Sequence, residues 1–145
     1  MATPASLQLY FNSSSMPLND ATKRNQMRVN LQEAIIVPDG YEMHVSIVSA
    51  EIPNTWATLQ KYLLVRSNLK YNNQYLTGRY LGKIPVNVAT GYYINYVNLT
   101  NYKNPTSDKN ITYMEISIHN EDGTDVSLGN GSDWSATIQI DFRKI

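Results

Sequence analysis

The chain alternates apolar and polar residues over short segments, and the clearest example lies at residues 134–142. Every second residue there is apolar, and the residues between them are Ser, Thr, Gln and Asp. The apolar positions are Trp134, Ala136, Ile138, Ile140 and Phe142. Because side chains on a β-strand point alternately to opposite faces, this segment predicts a strand with one buried face and one solvent-facing face.

Segments of this kind recur along the chain, and Gly, Pro, Asn and Asp residues separate them. Such residues form turns and end strands. Eight strands are predicted, at residues 7–11, 27–36, 41–52, 61–68, 79–86, 92–99, 111–119 and 134–142. Eight antiparallel strands without a predicted helix indicate an all-β jelly-roll sandwich, in a single domain that spans residues 1–145.

Three local features refine this prediction. Glu33 interrupts the apolar face of the second strand, so we expect a β-bulge or a rim position there. Pro38, Asp39 and Gly40 predict a tight turn, because Pro presets φ and Gly accepts a positive φ. Pro85 predicts an edge strand or a strand end, because proline has no backbone N–H for a neighbouring strand.

Composition and charge narrow the class of partner. Of the 145 residues, 42% are hydrophobic and 17% are charged, and twelve basic residues balance twelve acidic ones. A neutral surface rich in Asn, Ser, Thr and Tyr suits burial against a protein partner. Lys23, Arg24 and Arg28 are too few for a basic arm, so we expect no direct binding to nucleic acid.

The sequence also indicates the cellular compartment in which the chain is made. It contains no cysteine, which excludes disulfides, thiolate metal sites and a cysteine nucleophile. No signal peptide is recognisable in the first residues, and no apolar run approaches the roughly 20 residues needed for a transmembrane segment. We therefore expect synthesis in the cytoplasm.

The residues that catalysis would require are scarce. The two histidines, His44 and His119, fall in different predicted strands, and we interpret them as isolated side chains on sheet faces. No nucleophile motif accompanies them. We expect no catalytic residue, no metal and no cofactor, although an enzyme on a jelly roll stays a third hypothesis.

Three aspartates, Asp122, Asp125 and Asp133, lie among glycines before the last strand. Loops rich in oxygen ligands can hold calcium. Asp and Gly are also the residues that turns require, and the spacing differs from that of an EF-hand. We favour turn formation.

Four aromatic residues lie near predicted loops: Trp56, Tyr71, Tyr75 and Tyr80. Such side chains could stack on sugar rings, could anchor a protein–protein interface, or could pack within the domain. The sequence leaves these three alternatives open.

A series of short segments, in order along the chain, resembles one known family. The segments are residues 25–31, 37–43 (VPDGYEM), 48–54 (VSAEIPN), 67–69 (SNL), 81–86 (LGKIPV) and 131–140 (GSDWSATIQI). This series is similar to the single jelly-roll penton, or minor capsid, proteins of double-jelly-roll-lineage DNA viruses. These include large eukaryotic DNA viruses, virophages and polinton-like elements. The resemblance covers nearly the whole chain.

The resemblance implies a structural protein of the virion. Such pentons form homopentamers at icosahedral fivefold vertices, where trimers of the major capsid protein surround them. For this role, candidate assembly contacts come from the polar loops at residues 13–24 and 101–110. The candidate residues are Ser13, Lys23, Arg24, Tyr102 and Asn104. The alternative is a carbohydrate- or receptor-binding module of the lectin or attachment type, with the loop aromatics as its binding surface.

Overall fold

Nine β-strands and no helix make up the computed structural model, in the residues that it describes. These are residues 5–14, 24–54, 61–71, 80–99, 103–126, 128 and 133–145. The strands are β1 (Leu7–Asn12), β2 (Gln26–Ile36), β3 (Tyr41–Pro53), β4 (Tyr62–Ser67), β5 (Tyr80–Pro85), β6 (Tyr93–Val97), β7 (Asn104–Thr106), β8 (Asn110–His119) and β9 (Ser135–Lys144). All pairings between them are antiparallel.

The strands form two sheets that pack face to face. Sheet A has the order β1-β9-β3-β6, with β7 paired to the other half of β3, and sheet B has the order β2-β8-β4-β5. The long strands pair in a nested way: β1 with β9, β2 with β8, β3 with β6, and β4 with β5. This nesting is the strand order of a jelly roll. The predicted fold class is therefore confirmed.

All eight predicted strands are present, and the ninth is an addition. Strand β7 lies inside the polar segment that was predicted to be a loop. Its sequence, Asn-Pro-Thr, has no apolar alternation, and it is held by pairing with residues Met43 to Val45 of β3. A partner strand that is distant in sequence therefore creates this strand, which local pattern does not reveal.

The predicted local features are also confirmed. The register of β2 against β8 shifts between Asn30 and Ile35, which places a bulge around Glu33. In the turn after β2, the Tyr41 N–H donates to the Pro38 carbonyl at 3.1 Å, and Gly40 has a φ of 82°. Strand β5 ends at Pro85 and is the last strand of sheet B.

The core lies between the sheets, and the alternation of β9 supplies much of it. Ile138 and Ile140 are fully buried, and Trp134, just before β9, is 2% exposed. The indole N–H of Trp134 donates to the Arg24 carbonyl at 2.9 Å. The buried face that was predicted for residues 134–142 is thus confirmed. The Trp134 indole also holds the residues that lead into β2.

Candidate functional site

Two rows of side chains cross the outer face of sheet A from β1 to β6. Strand pairing places Tyr10, Thr137, Ser49 and Val97 in the first row. It places Asn12, Ser135, Glu51 and Asn95 in the second row. The two central strands contribute mainly short side chains, and the outer strands contribute longer ones. The outer face is therefore lowest in the middle.

This low region is a trough, whose side chains include Tyr10, Asn12, Ser49, Glu51, Tyr93, Asn95, Val97, Asp133, Ser135 and Thr137. It consists of two adjoining cavities of about 160 Å³ and about 330 Å³, both open to solvent. Tyr10 is 60% exposed and Tyr93 is 50% exposed. The floor of the smaller cavity carries Ser49, Ser135 and Thr137 together with the apolar Ala50 and Ala136.

Acidic side chains give the trough its charge. Asp133, at one end, forms an ion pair with Arg24, whose Nη2 donates to Asp133 Oδ1 at 3.0 Å. Within the described part of the chain, no ion pair joins Glu51 to a cation. The described side chains of the trough therefore carry a net negative charge, which disfavours an anionic ligand.

The other end of the same face holds a compact polar cluster around Asp141. Lys103 Nζ lies 2.6 Å from Asp141 Oδ2, and Ser6 and Gln139 donate to the same carboxylate. Partial burial would raise the pKa of Asp141, but the hydrogen bonds and the charge of Lys103 outweigh it and lower the pKa to about 2. This cluster ties three segments together and leaves the carboxylate occupied.

The outer face of sheet B has a different character, because three cations lie against tyrosine rings. The guanidinium of Arg28 is 4.0 Å from the ring centre of Tyr113. The corresponding pairs are Arg66 with Tyr80 at 5.4 Å and Lys83 with Tyr62 at 5.0 Å. Arg28 also approaches Glu115 at 3.4 Å. The two outer faces therefore differ in charge and in surface chemistry.

An exposed apolar segment follows the edge of sheet A. Val97, at the end of β6, is 61% exposed, and Leu99, two residues later, is 88% exposed. The Asn98 N–H donates to the Val48 carbonyl at 3.0 Å, which holds this segment against β3. We refer to Val97 and Leu99 as the β6 patch.

The predicted assembly contacts lie in different surroundings. Ser13 is 7% exposed, and its hydroxyl donates to Asp133 and accepts from the Trp134 N–H. Asn104 is 1% exposed. Both side chains are thus used inside the subunit and present little surface to a neighbour. Arg24 is half-buried in its pair with Asp133. Lys23 and Tyr102 lie outside the described residues.

Of the four residues of the predicted aromatic surface, Tyr71 and Tyr80 lie within the described residues. Tyr71 is 8% exposed, and its hydroxyl shares a 2.6 Å hydrogen bond with Ser67. Burial raises the pKa of Tyr71 despite this bond. Tyr80 is half-buried beside Arg66 on sheet B. Trp56 and Tyr75 lie outside the described residues.

The histidines and the three loop aspartates each have partners within the chain, such as Asn25 for Asp125 and Arg24 for Asp133. His44 Nε2 lies 2.9 Å from Glu42, and His119 Nε2 lies 2.7 Å from the Ser117 hydroxyl. Asp122 accepts from the Thr124 N–H and hydroxyl, in a turn where Gly123 has a φ of 90°. Among the described residues, no three His, Asp or Glu side chains converge on a position that could hold a metal ion.

Sequence reasoning missed the trough. The alternation Leu9-Tyr10-Phe11 already assigns Tyr10 to the outer face, since Phe11 is buried. The same argument assigns Tyr93 to the outer face, because Ile94 is buried. Only the strand order shows that β1 and β6 are the two outer strands of the same sheet.

Comparison with known proteins adds no assignment, because no family model matches the chain and no curated protein matches it. In the part of the chain that the structure describes, we find no helix long and apolar enough to cross a membrane.

Proposed function

We propose that the chain is a structural capsid subunit, which forms homopentamers at the fivefold vertices of an icosahedral virion, beside trimers of a major capsid protein. The nested strand order supports this proposal, because jelly rolls are common among viral capsid proteins. The same fold also occurs in lectins and cupins, so the surface must discriminate between these roles.

The observation that carries the proposal is the β6 patch. Leu99 is 88% exposed and Val97 is 61% exposed, beside the last strand of sheet A. An outer strand also offers backbone groups that a further strand could pair with. Full burial of a Val or Leu side chain contributes about 1.5–3 kcal/mol of favourable free energy. Covering this patch would therefore stabilise the contact with a neighbouring subunit.

The position of the patch suits a ring. Strand β6 lies at one side of sheet A, and β1 lies at the other. On β1, Leu7 is 39% exposed. A contact between the β6 patch of one subunit and the β1 side of the next uses two different surfaces. Such a heterologous contact closes into a ring when the rotation between neighbours divides a full turn evenly.

Electron microscopy of the purified chain and two variants tests this proposal. We expect fivefold rings from the unmodified chain and none from Leu99→Asp, because the substitution places a charge in the apolar contact. Thr112→Asp is the matched control, since it adds the same charge at an exposed position on sheet B and should leave rings intact. Rings that persist in Leu99→Asp would exclude the β6 patch as the contact.

Of the four residues predicted for the lectin alternative, the two that the structure describes do not favour it. Tyr71 is buried and Tyr80 lies beside a cation on the outer face of sheet B. That the protein is not an enzyme stays a prediction.

A further inference from the structure

We propose that the trough on the outer face of sheet A is a binding site for a neutral saccharide. This goes beyond the assembly proposal; of the β6 patch, Val97 lies at the border of the trough, whereas Leu99 does not line it. The site joins two exposed tyrosine side chains, the hydroxyls of Ser49, Ser135 and Thr137, and the carboxylates of Glu51 and Asp133. Its larger cavity, of about 330 Å³, lies in the range of small-molecule sites.

The tyrosine rings supply the apolar part of recognition. Tyr10 and Tyr93 stand on the two outer strands and are 60% and 50% exposed. The face of an aromatic ring carries partial negative charge, and its edge carries partial positive charge. The C–H groups on one face of a pyranose ring carry partial positive charge and are apolar. A sugar can therefore stack on either ring without losing hydrogen bonds from its hydroxyls.

The floor supplies the polar part. Ser49, Ser135 and Thr137 carry hydroxyls that donate and accept, so they match sugar hydroxyls in either direction. The Glu51 carboxylate accepts hydrogen bonds only, and two adjacent sugar hydroxyls can donate to its two oxygens. Hydrogen bonds to a charged acceptor are the stronger kind. Asn95 adds an amide from β6 beside Glu51.

Other ligand classes fit this surface less well. Glu51 repels phosphate, sulfate and sialic acid carboxylates, and no described cation compensates it. A docked amphipathic helix would require a continuous apolar groove, whereas hydroxyls and the Glu51 carboxylate interrupt the apolar lining of this trough. A neutral polyhydroxy compound satisfies both the rings and the floor.

The site remains available in the proposed ring. Side chains of the trough project from the outer face of sheet A into solvent. Val97 borders the trough, whereas Leu99 lies past the end of β6 and does not line it. A contact along the edges of the sheet would leave the trough open to solvent. Saccharide binding and assembly can thus be measured separately.

The test is a titration of the full chain, observed by NMR, with lactose, maltose, cellobiose, diacetylchitobiose, mannobiose and sialyllactose. We expect at least one neutral disaccharide to bind and to shift signals of the trough residues. Lactose should bind more tightly than sialyllactose, because Glu51 repels the added carboxylate.

Variants assign the site. Tyr10→Ala and Tyr93→Ala should each weaken the binding of the best disaccharide about tenfold, because each removes a stacking ring. Glu51→Gln should weaken it less and should reduce the discrimination against sialyllactose. Tyr92→Ala is the matched control, because Tyr92 is 67% exposed and adjacent to Tyr93 but does not line the trough.

The possible results separate the two proposals. If no neutral disaccharide binds, or if binding survives both Tyr10→Ala and Tyr93→Ala, the saccharide site is refuted whatever the oligomeric state. If sialyllactose binds more tightly than lactose, the charge argument is wrong. Leu99→Asp should still bind saccharide, so a chain that binds sugar but forms no ring retains this site and contradicts only the assembly proposal.

Discussion

Lys103 Nζ lies 2.6 Å from Asp141 Oδ2, and this ion pair joins the residues before β7 to β9 across the intervening strand β3. The Asp141 side chain is only 11% exposed, whereas that of Lys103 is 25% exposed. Solvent therefore screens this pair less than a fully exposed one. The pair helps to hold β7 in sheet A, although β7 itself has only three residues.

Asp141→Asn should lower the free energy of unfolding and should make it depend less on pH in the acidic range. The folded-state pKa of about 2 lies below the ordinary value of 3.8. The carboxylate therefore stabilises the fold above about pH 4, and this contribution disappears as the pH falls towards 2. We expect a loss of about 1–2 kcal/mol at neutral pH, measured by urea unfolding.

The matched control for this prediction is Asp39→Asn, which removes one negative charge from the exposed turn after β2. It should change the free energy of unfolding by less than about 0.5 kcal/mol. Equal effects of the two substitutions would show that net charge matters and that the Lys103 pair does not.

His119 makes stability fall at mildly acidic pH. Burial lowers its pKa below 6.5, and the charge of Arg66 adds to this, while Asp125 opposes it. The unfolded chain thus binds the proton more readily than the folded chain. The stability that neutral His119 contributes is fully present above about pH 6.5, and it is lost as the pH falls towards the folded-state pKa.

Urea unfolding at pH 7 and pH 5 measures this effect. His119→Gln should flatten the pH dependence, because glutamine does not titrate. The dependence should persist in His44→Gln, in which His119 remains. A dependence that is unchanged in His119→Gln would refute the assignment to this side chain.

Asn104 connects the two sheets and should be intolerant of truncation. Its amide donates to the Leu81 carbonyl of β5 at 2.7 Å and approaches the Val45 carbonyl of β3 at 3.3 Å. Asn104→Ala would leave buried carbonyls without these donors, at a cost of about 1–3 kcal/mol. Thermal unfolding measures this, with the exposed Asn30→Ala as control. Equal melting temperatures for the two variants would contradict the bridging role.

The strand pattern was readable from the sequence, because alternation is strong wherever a strand covers the core. Each predicted strand lies within two residues of the observed bounds. In β9, for example, buried Ile138 and Ile140 alternate with partly exposed Thr137 and Gln139. Such a pattern depends on one strand alone, so no knowledge of its neighbours is needed.

The roles of polar loop residues were not readable. Ser13 and Asn104 look like exposed loop residues in the sequence, yet both are buried. Each is buried because it bonds groups from distant parts of the chain, such as Trp134 for Ser13 and Leu81 for Asn104. Local composition contains no signal for such partners. The trough could not be predicted for the same reason, because only the order of strands in the sheet places Tyr10 and Tyr93 beside the same cavity.

The mass of the purified chain in solution, determined by light scattering after gel filtration, tests the assembly proposal most directly. We predict a species of five times the 16.4 kDa chain mass, and a single-chain mass for Leu99→Asp. A monomer at every concentration of the unmodified chain would contradict the proposal that this jelly roll builds a fivefold vertex.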